Sequence, residues 1–192
     1  MNIDLSNNTK YDRALDFTLA VEGGVSDDPR DLGGYTKAGI SLLLLKLKNM
    51  DLDGDGIVTR ADVDMLSDDQ IRDIYKEEFW DRIRGDDLPA AVAYLVFDTA
   101  VNTGPRDAAT WLQMALCQVG MKVEVDGRIG EQETIPAVNE WWSRSPWDRC
   151  RLLARFNAQR ALERPRSKSY ATHGAGWFWR DTLAVLHASG EI

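Results

Sequence analysis

A mainly α fold follows from three features of this 192-residue sequence. Apolar side chains recur at helical spacing along most of it, strand-type alternation is nearly absent, and a capping box opens one of the strongest helical patterns. Hydrophobic residues make up 44% and charged residues 28%, which is globular composition and excludes a disordered chain.

Tyr11, Ala14, Leu15 and Leu19 predict a helix from Tyr11 to about Val21, which delivers Glu22 at its C-terminal end before Gly23-Gly24 stop it. Residues 24–39 have no period of their own and read as a turn-rich loop, the kind of segment in which function concentrates. A leucine-rich stretch, Ser41 to Met50, runs into Asp51-Leu52-Asp53-Gly54-Asp55-Gly56, and a second helical pattern leaves it at Arg60 to Leu66. Ser67-Asp68-Asp69-Gln70 forms a capping box ahead of Ile71, Ile74, Tyr75 and Phe79, one apolar face of an amphipathic helix. Val92, Leu95, Val96 and Ala100 predict another. Ala108 to Val119 carries an almost unbroken apolar stripe that ends at Gly120, a residue suited to a helix C-terminus. Further patterns run through Glu133 to Trp142, Trp147 to Arg164 and Trp177 to His187. Alternation is confined to Lys122 to Val125, before the Asp126-Gly127 turn. The expected organisation is a region at 11–88 and a helical region at 89–186, packed as one compact domain.

With 23 Lys and Arg against 31 Asp and Glu, the net charge is −8, which speaks against general nucleic-acid binding. The charge is uneven: seven acids and one base lie between Asp51 and Asp69, whereas nine bases and two acids lie between Arg144 and Arg180. Cys117 and Cys150 lack metal-ligand spacing and read as two buried free thiols. No apolar run approaches the roughly 18 residues of a spanning helix, and the first residues lack a basic export segment, so the expectation is a soluble monomer without membrane insertion.

The most specific local signal is Asp51-x-Asp53-x-Asp55-Gly56-Ile57-x-Thr59-x-x-Asp62, an EF-hand-like helix-loop-helix insertion. Oxygen ligands fall at the first, third, fifth, ninth and twelfth loop positions, Ile57 supplies a carbonyl and leaves its side chain to pack, and Gly56 permits the sharp bend. Calcium, a hard cation taking about six to eight oxygens, needs such an arrangement. Asp62 replaces the usual bidentate glutamate, as in dockerin-type loops, which this one resembles. One structural calcium ion is the expected cofactor.

The second constellation runs from Glu22-Gly23-Gly24 through Asp28-Pro29, Asp31, Gly33-Gly34, Tyr35 and Thr36 to Gly39-Ile40. A carboxylate at a helix end faces a glycine-lined loop with a second carboxylate and a hydroxyl, the parts that glycosidic cleavage requires. Leu19 and Val21 can desolvate Glu22 and favour its protonated form, whereas Asp31 among backbone amides stays ionised. Tyr35 is the stacking candidate for a sugar ring; most of the seven tryptophans read as core, and only one of Trp141 and Trp142 can face inward. Asn102 either bonds an N-acetyl group or caps a helix end.

The Glu22 to Ile40 run resembles the signature of glycoside hydrolase family 108, the N-acetylmuramidases typical of phage endolysins. Phe79 to Pro89 and Phe97 to Pro105 are similar to the linking segments of that family. Trp111-Leu112-Gln113 through Val125-Asp126-Gly127-Arg128-Ile129-Gly130 and Thr134 resembles its C-terminal peptidoglycan-binding-type region, and Gly176 to Arg180 its closing motif. The resemblance implies a lysozyme-like helical domain that hydrolyses the β-1,4 bond between N-acetylmuramic acid and N-acetylglucosamine. It implies Glu22 as general acid, with Asp31 and Thr36 supporting the attacking water and inversion at the anomeric carbon; Asp28 is the alternative second carboxylate. Asp31 and Thr36 stand one residue closer than their counterparts in lysozyme-like endolysins. The implied setting is the host cytoplasm, with holin-dependent release to the wall. A noncatalytic peptidoglycan-binding protein, a calcium-responsive interaction protein and chitinase-like specificity are the rival readings.

Overall fold

The computed structural model describes residues 9–22 and 35–163, with the backbone alone for Val21 and Glu22. The fold is mainly α and lysozyme-like, with eight α-helices and a two-stranded sheet among the described residues. It divides into two compact units: one holds residues 15–76, and the other holds residues before 15 together with those from 77 onward.

Helix α1 (Lys10–Glu22) starts at a reciprocal cap, in which the Thr9 hydroxyl accepts from the Asp12 amide and the Asp12 carboxylate accepts from the Thr9 amide. Its buried positions are Tyr11, Ala14, Leu15 and Thr18, so the stripe turns onto Thr18, and Leu19 is half-buried. The loop expected to reach Gly39 ends earlier, in a hairpin of β1 (Thr36–Lys37) and β2 (Ile40–Ser41). Ala38 and Gly39 turn it with φ of 48° and 77°, the two positive values that match a tight turn to strand twist.

Ser41 then caps α2 (Leu42–Lys48) by accepting from the Leu44 amide, and left-handed Asn49 ends it. Across the acidic loop, Thr59 caps α3 (Arg60–Met65), and Ser67 with Gln70 forms the expected capping box of α4 (Asp68–Tyr75). Ile71, Ile74 and Tyr75 are buried as expected, but Phe79 is not. A π-helical turn over Lys76–Trp80 replaces the last α-turn. Its wider winding shifts the inward face by one residue, so Trp80 is buried and Phe79 is half-exposed.

In the unit that contains residues 77–163, Trp80 packs 5.5 Å from both Tyr11 and Phe97 between ring centroids. Gly85 lies directly against the indole, and the Lys10 ammonium donates to the carbonyls of Gly85, Asp86 and Leu88. Helix α5 (Ala90–Thr103) is buried nearly all round and packs on α6 (Pro105–Gln118). Gly120, at φ 97°, ends α6 as expected: its amide bonds the Cys117 carbonyl while the Met121 amide bonds that of Leu116. Helices α7 (Thr134–Trp142) and α8 (Pro146–Glu163) complete the described chain, and α8 packs on α6. The predicted pattern at 177–187 lies outside the described residues.

Two expectations fail here. Lys122 to Val125 forms no strand: no described strand lies beside it, and the Glu124 amide is bonded by the Glu133 side chain instead. Cys117 and Cys150 are free but exposed, because each sits on its helix one or two positions off the buried stripe, beside Leu116 and Leu152. The basic run from Arg144 onward reaches the interior at one described residue. Arg160 on α8 is wholly buried, 2.5 Å from the buried Asp98 carboxylate on α5.

Candidate active site and acidic loop

The structure describes the two ends of the Glu22 to Ile40 motif. Glu22 is the last residue of α1. The side chain of Glu22, and the whole of Asp28 and Asp31, lie outside the described residues. At the other end, Thr36 stands half-buried on β1 opposite Ser41, and the hairpin that carries it is fastened from several directions. The Tyr35 carbonyl accepts from the Leu42 amide at 2.9 Å, and the Tyr75 hydroxyl donates to the Ala38 carbonyl at 2.9 Å. The Lys37 ammonium donates to the carbonyls of Asp64 and Leu66, each at 2.8 Å.

Tyr35, the stacking candidate, is itself held. Its hydroxyl donates to the Asp64 carboxylate at 2.5 Å, and the Arg60 guanidinium lies over its ring, 5.1 Å from the centroid. Helix α3 and the residue that follows it therefore position the hairpin, through Arg60, Asp64 and Leu66. None of these was a candidate from the sequence. Asp64 and Tyr35 are 29 residues apart, and no local spacing signals such a contact. Asn102 lies in the other unit, in the last turn of α5, where its side-chain amide donates to the Asp98 carbonyl at 2.6 Å. That bond is internal to α5 and reaches a carbonyl one turn back.

In the acidic loop, the carboxylates of Asp51, Asp53 and Asp55 each bring an oxygen to within 4.8 Å of the others. Backbone amides set their directions: Gly54 and Gly56 donate to Asp51, Asp55 donates to Asp53, and Ile57 donates to Asp55. Gly54 and Gly56 adopt φ of 77° and 89°, which permits this winding. The Asp55 amide pulls the Asp53 pKa down, yet desolvation and the charges of Asp55 and Asp62 prevail and hold it above the ordinary carboxylate value.

Asp62 does not join that group. It is buried; one oxygen accepts from the Leu52 amide at 2.6 Å and the Asp53 amide at 3.3 Å, while the other accepts from the Thr59 amide at 2.7 Å. Those amides, Thr59 foremost, lower its pKa against the opposing effect of burial. It thus closes the loop onto the cap of α3. The Ile57 side chain does not pack as expected but is exposed.

Two family descriptions match the sequence: Glycosyl hydrolase 108 over residues 15–104, and Predicted Peptidoglycan domain over residues 107–178. Among solved structures, the chain is similar to Brucella abortus SagA, with a TM-score of 0.76, 30% sequence identity and coverage of 94% of either chain. No curated protein sequence matches it.

Proposed function

The chain belongs to the glycosyl hydrolase 108 family and is a glycoside hydrolase acting on peptidoglycan, and we propose that it cleaves the β-1,4 bond between N-acetylmuramic acid and N-acetylglucosamine. The observation that carries this reading is the anchorage of the motif at both ends. Glu22 is the last residue of α1, and Thr36 sits on a hairpin that α3 and α4 fasten.

In this reading Glu22 hands its proton to the glycosidic oxygen as the bond to the anomeric carbon breaks. Water attacks that carbon from the opposite face and gives its proton to Asp31, with the Thr36 hydroxyl orienting the water. The configuration inverts, and the new reducing end is N-acetylmuramic acid. Tyr35 borders the substrate. The setting we propose is that of a phage endolysin, released from the host cytoplasm by a holin.

Replacing Glu22 by Gln keeps the shape and removes the proton. Turbidity loss of purified walls should then slow by about 10²–10⁴-fold, the contribution of general acid catalysis. Mass spectrometry of muropeptides released by the wild type should find N-acetylmuramic acid at the reducing end. Equal clearing by both proteins, or N-acetylglucosamine at that end, overturns the reading.

We propose also that Asp51, Asp53 and Asp55, with the Ile57 carbonyl, hold one structural calcium ion, while Asp62, expected at the last ligand position, instead gives both oxygens to the Leu52, Asp53 and Thr59 amides and closes the loop. Three converging carboxylates and amide-set carboxylate directions fit a hard cation. When bound, the ion neutralises the clustered negative charge and ties the loop between α2 and α3. Calorimetric titration with calcium should give one site in the wild type and none in Asp55→Ala; no heat from the wild type refutes it.

A further inference from the structure

We propose that the turn between α7 and α8 is a docking surface for anionic glycan strands, with Trp147 as its aromatic anchor and Arg149 and Arg151 as its anion contacts. The inference rests on the peptidoglycan-directed function above and names a surface that would hold the polymer.

Trp147 is 75% exposed, and among the described residues only Leu47 is a more exposed large apolar side chain. Its exposure is not the slack of a loose loop. The Trp141 indole N–H donates to the Asp148 carbonyl at 2.6 Å, and the Arg149 Nε donates to the Trp142 carbonyl at 2.8 Å, which staples the two ends of the turn. Ser145 and Asp148 cap the start of α8 reciprocally, through the Ser145 hydroxyl to the carboxylate at 2.8 Å and the Asp148 amide to that hydroxyl at 3.2 Å. A turn so firmly built, holding an indole out in water, keeps apolar area exposed that folding alone would bury.

The surroundings select the ligand. Arg149 lies over the Trp142 ring at 5.6 Å, and Arg151, half-exposed and 3.5 Å from the Asp148 carboxylate, lies over the Trp141 ring at 5.7 Å, so each guanidinium is held beside an aromatic surface. An indole face complements the C–H face of a pyranose, and neighbouring guanidinia complement carboxylates of the kind peptidoglycan carries on its lactyl ethers and stem peptides. A bilayer is the poorer fit. Beyond Trp147, α8 turns Cys150, Ala154, Ala158, Ala161 and Leu162 to solvent, but Arg151 and Arg155 stand among them and interrupt the apolar face that insertion would need. The turn also lies inside the stretch matched by the peptidoglycan domain.

The test is co-sedimentation with purified insoluble peptidoglycan in a Glu22→Gln background. Trp147→Ala should bind about tenfold more weakly, the scale of losing one aromatic anchor. Trp147→Tyr should recover most of the affinity, and added salt should weaken binding of the parent. Thermal unfolding of both variants monitors the fold, and Trp147→Tyr decides the case if Trp147→Ala melts early. Equal sedimentation of Trp147→Ala and parent overturns the proposal, as does a loss confined to anionic phospholipid vesicles with wall binding intact. Loss of wall mass in the Glu22→Gln parent would count against the catalytic assignment and leave the binding comparison standing.

Discussion

Gly85 shows how closely the aromatic cluster is filled. A Cβ there would run into the Trp80 ring, which is buried and cannot swing away. Gly85→Ala should therefore cost about 1–3 kcal/mol through overpacking, read as a lower urea midpoint at unchanged slope. The Asp98–Arg160 pair makes a different demand. Arg160→Met removes the charge that compensates a buried carboxylate and should cost about 3–5 kcal/mol in the same measurement, whereas Arg160→Met combined with Asp98→Leu should recover most of that loss. Neither site was legible in the sequence. Arg160 reads there as one base in a basic run because its partner Asp98 comes from another helix, and Gly85 as one residue of the 79–89 segment because only the π-turn brings the Trp80 ring back onto it. What was legible at this level is local: the Ser67–Gln70 box and the Gly120 terminus each satisfy amides or carbonyls within a few residues, so spacing alone reveals them.

The helices were readable because each buries a stripe at its own period, and the errors sit where another element or a change of winding intervenes. The hairpin at 36–41 lacks the Asn-Gly or Asp-Gly that marks such turns; Ala38 accepts a positive φ while Tyr75 holds its carbonyl. The π-turn moved the inward face from Phe79 to Trp80. Between α6 and α7, the Gln113 side chain organises the loop, donating to Asp126 at 2.8 Å and to the Arg128 carbonyl at 2.9 Å, and accepting from the Gly127 amide at 2.9 Å. The Gln113 amide, helped by the Arg128 backbone, holds the Asp126 carboxyl below its ordinary pKa. A carboxylate depressed in the fold stabilises it above the unfolded pKa, about 4, and that stability is lost as the pH falls through the folded value. Asp126→Asn should therefore flatten the fall in melting temperature below about pH 4 and leave the neutral region with a smaller, pH-independent loss.

Charge sets the last expectation. The acidic run lies in the unit of residues 15–76, which also carries the hairpin with Thr36. If the loop binds calcium in the fold alone, an ion concentration a hundred times its Kd should add about 2.7 kcal/mol and raise the melting temperature by roughly 5–10 °C. Chelator should reverse this in the wild type and do nothing to Asp55→Ala. The candidate site was legible as a motif but not as an arrangement: the sequence offered Tyr35 and Thr36, while Asp64, Arg60 and Lys37, which hold them, emerged only from the folded chain. The split course of α1 has a practical result. Its first turn supplies Lys10 and Tyr11 to the body built mainly from residues after 77, whereas the hydrolase match begins at residue 15 and ends at 104, the junction of two helices that pack together, and the second match begins at 107. Fragments cut at those borders would expose the Trp80 cluster on one side and strip α6 of α5 on the other, so neither piece should be judged inactive in isolation without first asking whether it still folds.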